Sequence, residues 1–244
     1  YGYGKLFRNI FFAESPNKNK YENEYINIFY GISFLIIISF FYHFSGIKTQ
    51  TFNLLIIITG FLISLFYLKK IKYFVRFILI PISIFTSLIV FFNHDDFYLY
   101  HIQNIIELNS TKPPIGLGNL NIKYVYSSFY IYFESIFNFY NYKIELINIP
   151  RFLSFLAIVG YLFFNLFNKN KNQDKKFISF VFLIFILLKF KRFSEIGNDY
   201  PLTFFIIFIF VEYFYKSNSK NYKIRNILFL YGISFLIKVT ALFF

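Results

Sequence analysis

The sequence predicts an all-α, polytopic membrane protein with about seven spans and one long outer loop. Its 244 residues are 57% hydrophobic and 26% aromatic, and the mean hydropathy is +0.53. A soluble domain of this size could not hide that much apolar surface in one core. Apolar runs of roughly twenty residues, the length that crosses a bilayer as a helix, recur between short charged clusters.

The residue content sets two further expectations. The chain contains no methionine, begins at Tyr1 and ends at Phe244 inside an apolar run, so we expect it to be part of a longer protein. Cysteine is also absent, which excludes disulfides, thiolate catalysis and cysteine-bound metal without indicating a compartment.

The apolar runs divide one membrane domain, 1–244, into segments in a regular order. Residues 1–25 are predicted to be a cytoplasmic tail, and 93–150 an outer loop. The predicted spans are 26–44, 52–68, 74–92, 151–167, 177–190, 201–215 and 226–244.

The basic residues support this order. Sixteen of the 25 lysines and arginines fall on one side of the predicted membrane and eight on the other. Cytoplasmic loops of membrane proteins are rich in lysine and arginine, so the first side is predicted to be the cytoplasmic one. The net charge of +13 is therefore a topology signal, and nucleic acid is not an expected partner. We expect a multi-pass protein of a cell membrane, such as a bacterial inner membrane.

The outer loop is too long for a simple connection and is predicted to have its own structure. Residues 96–108 have the pattern of an amphipathic helix along the membrane interface. Pro113 and Pro114 then end the helix, and residues 125–142 are predicted to form a second interfacial helix. If residues 125–142 crossed the membrane once, every later loop would change sides. The excess of lysine and arginine on one side of the membrane would then be lost.

The first part of this loop, "NHDDFYLYHIQNIIEL", gathers acids and histidines in a chain with only 12 acidic and 3 histidine residues. Acidic residues contribute little to topology, so their clustering on the outer side needs another cause. One interpretation is a reaction site facing a cavity. The alternative is a solvated loop that happens to be acidic.

The order of motifs in 93–167 resembles the GT-C superfamily of membrane glycosyltransferases, and most closely the protein-mannosyltransferase and aminoarabinose-transferase type. The resemblance rests on "DDFYLYH", on "KPP" and on "PRFLSFLAIVGYLFF", which opens a span. The matching positions are Asp95, Asp96, Tyr98, Lys112, Pro113, Pro114 and Arg151–Phe152–Leu153–Ser154. In that family the acidic loop follows the first span, whereas here it follows the third.

The resemblance implies transfer of a sugar from a polyprenyl-phosphate donor to a glycan, lipid or protein acceptor at the outer membrane face. Asp95 or Asp96 would be the general base that takes the proton of the acceptor hydroxyl. The other carboxylate would orient substrate or bind metal. Together with His94 or His101 the pair could hold Mg²⁺ or Mn²⁺.

The lipid phosphate that leaves in such a reaction needs positive charge nearby. Arg151, Lys112 and Lys123 are the candidates, and Arg151 also lies near the N-terminus of a helix, which favours anions. The alternative for Arg151 and Lys112 is that they reach lipid headgroups at the interface.

Other polar residues have two interpretations each. Tyr98 and His101 are candidates for substrate binding, but His101 also fits a structural residue at the interface. Glu195 and Asp199 could complete the site from the second outer loop. The alternative for Asp199 is a helix-entry signal, since Pro201 follows within the first turn. Lys238, within the last span, is a candidate to face the lipid phosphate.

Two other functional classes stay open beside glycosyl transfer. A polysaccharide polymerase, ligase or flippase would more often have several outer arginines. A transporter would have ionisable residues in discontinuous helices at mid-membrane, and the predicted spans contain almost none. "YGISFLI" occurs at 30–36 and again at 231–237. This match is either coincidence, a helix-packing face of small residues, or a trace of the repeats that transporters contain.

Overall fold

A computed structural model describes residues 1–11, 22–46, 49–67, 101–110, 128–138, 144–168, 171–189, 197, 199–213, 220–238 and 241. In these ranges the chain forms helices and no strand, which confirms the all-α prediction for this part of the protein. The helices are α1 (Gly2–Phe11), α2 (Glu22–Phe44), α3 (Gln50–Tyr67), α4 (Ile102–Ser110), α5 (Phe129–Ser135), α6 (Ile149–Phe167), α7 (Gln173–Leu188), α8 (Asp199–Tyr213) and α9 (Lys220–Ile237). A 3₁₀ helix, Ile144–Asn148, leads into α6.

Three helical segments are long and apolar enough to cross a membrane: Tyr25–Phe44, Gln50–Tyr67 and Leu146–Phe167. They coincide with the predicted spans at 26–44, 52–68 and 151–167. Helices α7, α8 and α9, with 16, 15 and 18 residues, overlap the segments 177–190, 201–215 and 226–244 that the sequence predicts to be spans. The remaining predicted span, 74–92, lies outside the described residues.

Local signals explain where several helices begin. The Ser128 side chain accepts a hydrogen bond from the Tyr130 backbone N–H at 3.0 Å and caps α5. Pro150 occupies the first turn of α6, where its missing N–H costs nothing. Helix α8 begins at Asp199, with Pro201 in its first turn, as the helix-entry interpretation predicts.

The described helices have two polar ends, which we call the α5 end and the α1 end. Contacts at the α5 end join Tyr42 to Thr49, His43 to Ser135, Glu134 to Arg151 and Asp199 to Lys238. Contacts at the α1 end join Arg8 to Asn27, Phe7 to Phe229, Tyr25 to Phe164 and Lys175 to Glu212. Helices α2 and α3 therefore run antiparallel, and so do α6 and α7 and also α8 and α9.

Residues 2–11, which the sequence assigns to a cytoplasmic tail, are a packed helix. Helix α1 runs antiparallel to α2 and also contacts α3. Two of its glycines permit this close approach. A Cβ on Gly4 would lie 1.6 Å from the Asn27 carbonyl oxygen, and a Cβ on Gly2 would lie 2.6 Å from the Ser64 backbone nitrogen. The sequence pattern does not predict this helix, because the segment is too short for a membrane span.

Helices are present in both segments that the sequence predicts to be interfacial. Helix α4 begins within 96–108 and ends at Ser110, and α5 lies within 125–142. Helix α5 is buried by protein instead of lying along its surface, since Tyr130, Phe133 and Glu134 are at most 1% exposed. It packs against α2, α4, α6 and α9.

Helix α2 is central, and the middle of the core is aromatic. The Phe29 ring of α2 lies 5.0 Å from that of Phe205 and 4.4 Å from that of Phe208, both on α8. The Tyr161 ring of α6 also packs against Phe208, with 4.7 Å between the ring centroids. Such tilted and edge contacts add about 0.5–1.5 kcal/mol per pair beyond area burial.

Helices α3 and α7 expose most of their large apolar side chains. Those more than a third exposed are Phe52, Leu54, Leu55, Ile58, Phe61, Leu62, Leu65 and Phe66 on α3, and Phe177, Phe180, Val181, Ile184, Phe185, Leu187 and Leu188 on α7. Apolar patches this extensive are unusual on soluble proteins and are expected where a helix faces lipid.

We predict that Gly4→Ala destabilises the protein by about 1–3 kcal/mol, the usual cost of overpacking, because the Cβ would meet the backbone of α2. Thermal unfolding in detergent measures the loss. Gly232→Ala, in the second copy of "YGISFLI", is the matched control, since a Cβ there meets nothing within 4 Å. Equal melting temperatures for the two variants would contradict the α1–α2 contact.

Candidate functional site

Four of the candidate site residues lie in the described part of the chain: His101, Arg151, Asp199 and Lys238. Seven lie outside it: His94, Asp95, Asp96, Tyr98, Lys112, Lys123 and Glu195. The described four all belong to segments at the α5 end, and the polar groups around them define a candidate site.

A buried ion pair forms the centre of this site. The Arg151 Nε donates to the Glu134 carboxylate at 2.8 Å, and the two side chains are 4% and 1% exposed. The Arg151 Nη1 also donates to the Asn148 side-chain oxygen at 2.9 Å. Arg151 is thus held between α5 and the turn that precedes α6, instead of extending toward the surface.

Burial and the guanidinium act in opposite directions on Glu134. Removal from water raises the pKa of its carboxyl above the ordinary value, while the Arg151 charge and hydrogen bond lower that pKa. A buried carboxylate is tolerated only where a partner compensates its lost hydration. Glu134 and Arg151 therefore depend on each other.

Hydroxyl groups extend the network between helices. The Tyr130 hydroxyl lies 3.2 Å from the Ser154 hydroxyl, which also donates to the Pro150 carbonyl at 3.0 Å. Burial raises the pKa of Tyr130, so its hydroxyl is neutral at any physiological pH. The Ser128 hydroxyl donates to the Ile237 carbonyl and links α5 to the end of α9.

His43 and Ser135 form a second buried pair beside Glu134. The His43 Nδ1 lies 2.7 Å from the Ser39 carbonyl, which can only accept, so Nδ1 carries a proton. The Nε2 lies 2.9 Å from the Ser135 hydroxyl, which is also 2.7 Å from the Tyr132 carbonyl. The Ser135 hydroxyl thus links the His43 ring of α2 to the backbone of α5.

His101 lies immediately before α4 and is 7% exposed. Helix α4 packs on α5 and on the 3₁₀ helix through Ile102, Ile105, Ile131 and Ile147. The burial of His101 fits the structural interpretation of this residue. His101, which is five residues after Asp96 in the sequence, therefore lies next to α5.

Asp199 forms an ion pair with Lys238 and so joins the start of α8 to the residue that follows α9. Their side chains are 70% and 41% exposed, and the pair lies at the margin of the α5 end. Lys238 thus lies at the end of a helix, and not within one as the sequence suggested. Exposed pairs contribute about 0–1 kcal/mol, so this contact is weak.

Sequence reasoning gave no role to Glu134, His43 and Ser135. The available signal for Glu134 was its position within the apolar stretch "YVYSSFYIYFESIFNFYN", where a charge requires a buried partner. His43 ends an apolar run, and nothing in the sequence indicates that it meets Ser135, 92 positions away.

The described residues contain no group of three or more His, Cys, Asp or Glu side chains that could hold a metal ion. The predicted Mg²⁺ or Mn²⁺ ligands Asp95, Asp96 and His94 fall outside those residues.

The described fold and site define a helical protein with at least three helices fit to cross a membrane and a buried charged cluster at one end. The chain belongs to the family described as "Domain of unknown function (DUF8201)", whose model matches residues 1–244. No curated protein and no solved structure matches the chain.

We predict that Glu134→Gln destabilises the protein by about 3–5 kcal/mol, because it leaves the Arg151 charge buried without its carboxylate. Arg151→Gln has a similar effect, and the double variant Glu134→Gln/Arg151→Gln costs clearly less than the sum of the two. Thermal unfolding of the four proteins gives the coupling. Asp174→Asn, an exposed acid on α7, is the control and changes stability by at most about 1 kcal/mol. Additive effects of the single substitutions would exclude the pair.

Proposed function

We propose that this protein is a GT-C-type glycosyltransferase, which moves a sugar from a polyprenyl-phosphate donor to a cell-envelope acceptor at the outer membrane face. The observation that carries the proposal is the position of the buried Glu134–Arg151 pair. This pair lies at the same end of the bundle as the two short helices, α4 and α5. Helix α4 begins six residues after Asp96.

In the proposed reaction the acceptor hydroxyl attacks the anomeric carbon of the lipid-linked sugar. Asp95 or Asp96 takes the hydroxyl proton, and the bond from the anomeric carbon to the phosphate oxygen breaks, so that the lipid phosphate leaves with the electron pair. Because Arg151 is already bound to Glu134, we assign the contact with the leaving phosphate first to Lys112 and Lys123. Arg151 is then a positioning residue, which fixes the start of α6 against α5.

The two ends of the described helices support the full set of seven spans. Helix α3 ends near Gly2 and Ser64 at the α1 end, while Ser128 contacts Ile237 at the α5 end. The chain between 67 and 128 therefore connects opposite ends of the bundle, as one crossing at 74–92 would do. A single crossing also keeps the basic loops on one side, which we propose to be the cytoplasmic one.

A transporter is less well supported by the described helices. Transporters hold their substrates and ions at discontinuous helices near mid-membrane. Here the buried ion pairs within the described residues lie near helix ends, since Lys175 is the third residue of α7 and Glu212 the next to last of α8. No described residue favours a polymerase, ligase or flippase.

The decisive experiment measures sugar transfer in membranes supplied with lipid-linked donors. Asp95→Asn and Asp96→Asn are both expected to insert normally, and at least one loses transfer by about 100-fold or more, the contribution of a general base. Asp174→Asn, an exposed acid at the other end of the bundle, retains activity. Full activity of both Asp95→Asn and Asp96→Asn would exclude the assigned base.

The orientation has a test of its own, made simple by the absence of cysteine. We expect an impermeant maleimide added outside intact cells to label Ser45→Cys, an exposed position at the α5 end. Gln173→Cys, exposed at the α1 end, is labelled only after the membrane is opened. Labelling of Gln173→Cys in intact cells would reverse the topology and remove the proposed outer site.

A further inference from the structure

Helix α4 contacts the rest of the protein through a cluster of its own. Every other described helix belongs to the main core or packs against it. Helix α4 instead contributes Ile102 and Ile105 to a second cluster, in which they meet Ile131 of α5 and Ile147 of the 3₁₀ helix. We call these four side chains the isoleucine cluster. All four are buried, so α4 is closed down on its neighbours.

This contact covers the elements that hold the buried ion pair. On α5, Ile131 lies one turn before Glu134. In the 3₁₀ helix, Ile147 is next to Asn148, whose side chain accepts a hydrogen bond from Arg151. Helix α4 therefore lies on the two segments that fix the Glu134–Arg151 pair.

The size and composition of the contact favour reversible separation. Helix α4 has nine residues and is too short to be stable without tertiary contacts. Its buried side also includes the polar side chains of His101 and Asn104, which are 7% and 8% exposed. Water hydrates these two groups when the contact opens, which offsets part of the lost apolar burial. Segments of this kind open locally while the rest of a protein stays folded.

We propose that α4 is a movable cover, which separates from α5 and the 3₁₀ helix while the bundle stays folded, and then docks again on the isoleucine cluster. The role of this motion rests on the proposed function. Asp96 precedes α4 by six residues and Lys112 follows it by two, so the position of α4 constrains both the candidate base and a candidate phosphate contact. Opening admits the lipid-linked donor, and docking completes the site, as closing segments do in many enzymes.

Helix α5 stays in place in this motion, because its contacts with α2, α6 and α9 do not involve α4. Two isoleucines of this region distinguish the two sides of α5. Ile131 belongs to the isoleucine cluster and is 3% exposed, while Ile136, which follows the last residue of α5, belongs to the main core and is 1% exposed. Cysteines at these positions therefore report separately on the opening of α4 and on the unfolding of α5.

The test measures how fast N-ethylmaleimide, a small neutral thiol reagent, labels single cysteines in the full chain in detergent. The absence of natural cysteine leaves no background. Ile131→Cys is expected to react at least about tenfold faster than Ile136→Cys, because the opening of α4 uncovers only position 131. The two positions are close in sequence and similarly buried, so each is the matched control for the other.

Two substitutions on α4 tie the labelling to its docking. Ile105→Ala truncates a fully buried side chain of the contact, so it is expected to speed the labelling of Ile131→Cys about tenfold or more. Ile106→Ala, on the side of α4 that is 47% exposed, is the control and leaves the rate within about twofold. Neither substitution changes the labelling of Ile136→Cys.

A cross-link tests the role of the motion in sugar transfer. Ile105→Cys and Ile131→Cys lie in one cluster, and a disulfide between them holds α4 closed. We expect oxidation of the double variant to lower sugar transfer at least about tenfold and reduction to restore it. The single variants, which cannot form this disulfide, are the controls and do not respond to oxidation.

Equal labelling of Ile131→Cys and Ile136→Cys would overturn the inference, because α4 would then not open separately. An unchanged rate in Ile105→Ala would do the same. Full sugar transfer by the disulfide-linked double variant would remove the role of the motion in the reaction. If the unsubstituted protein transfers no sugar, the proposed function fails instead, and the labelling rates still decide whether α4 opens.

Discussion

The pairing of Arg151 with Glu134 is the contact on which the arrangement of the α5 end depends. Helix α5 has seven residues and is too short to be stable alone, so tertiary contacts must hold it. The ion pair joins it to the first turn of α6, and the hydroxyl of Ser128 joins it to the end of α9. His43, from α2, contacts its last residue, Ser135. One short helix thereby connects the ends of three long ones.

Burial makes the two charges of this pair depend on each other. A charged group at a helix end can be hydrated by water, but Arg151 and Glu134 are nearly inaccessible to solvent. A buried charge without a partner is far more costly than a pair, so either residue alone would favour an open arrangement. The pair therefore selects the closed packing of α5 over alternatives in which this segment lies on the surface. The proposed reaction site needs α5 to be held rigidly, because the reacting groups have to be kept in a defined geometry.

Hydrophobic periodicity and length predicted the long helices. Apolar runs predicted α2, α3, α6, α7 and α8 to within about four residues and α9 with both ends displaced by six or seven, since long apolar runs between charged clusters favour helices. The partners of the buried polar groups were not predictable. His43 and Ser135 are 92 positions apart, and the contact depends on how α5 folds back onto α2. Helix α1 was missed for a related reason. Its glycines are informative only once the neighbouring backbones of α2 and α3 are known.

The aromatic middle of the bundle separates the two polar ends. Phe29, Phe205 and Phe208 lie between the Glu134–Arg151 pair at one end and the Lys175–Glu212 pair at the other, and they are at most 2% exposed. The Ser33 and Ser234 hydroxyls donate to carbonyls of their own helices. In the described helices an apolar layer thus keeps the two ion pairs apart, so a substitution that breaks one pair leaves the contacts of the other in place.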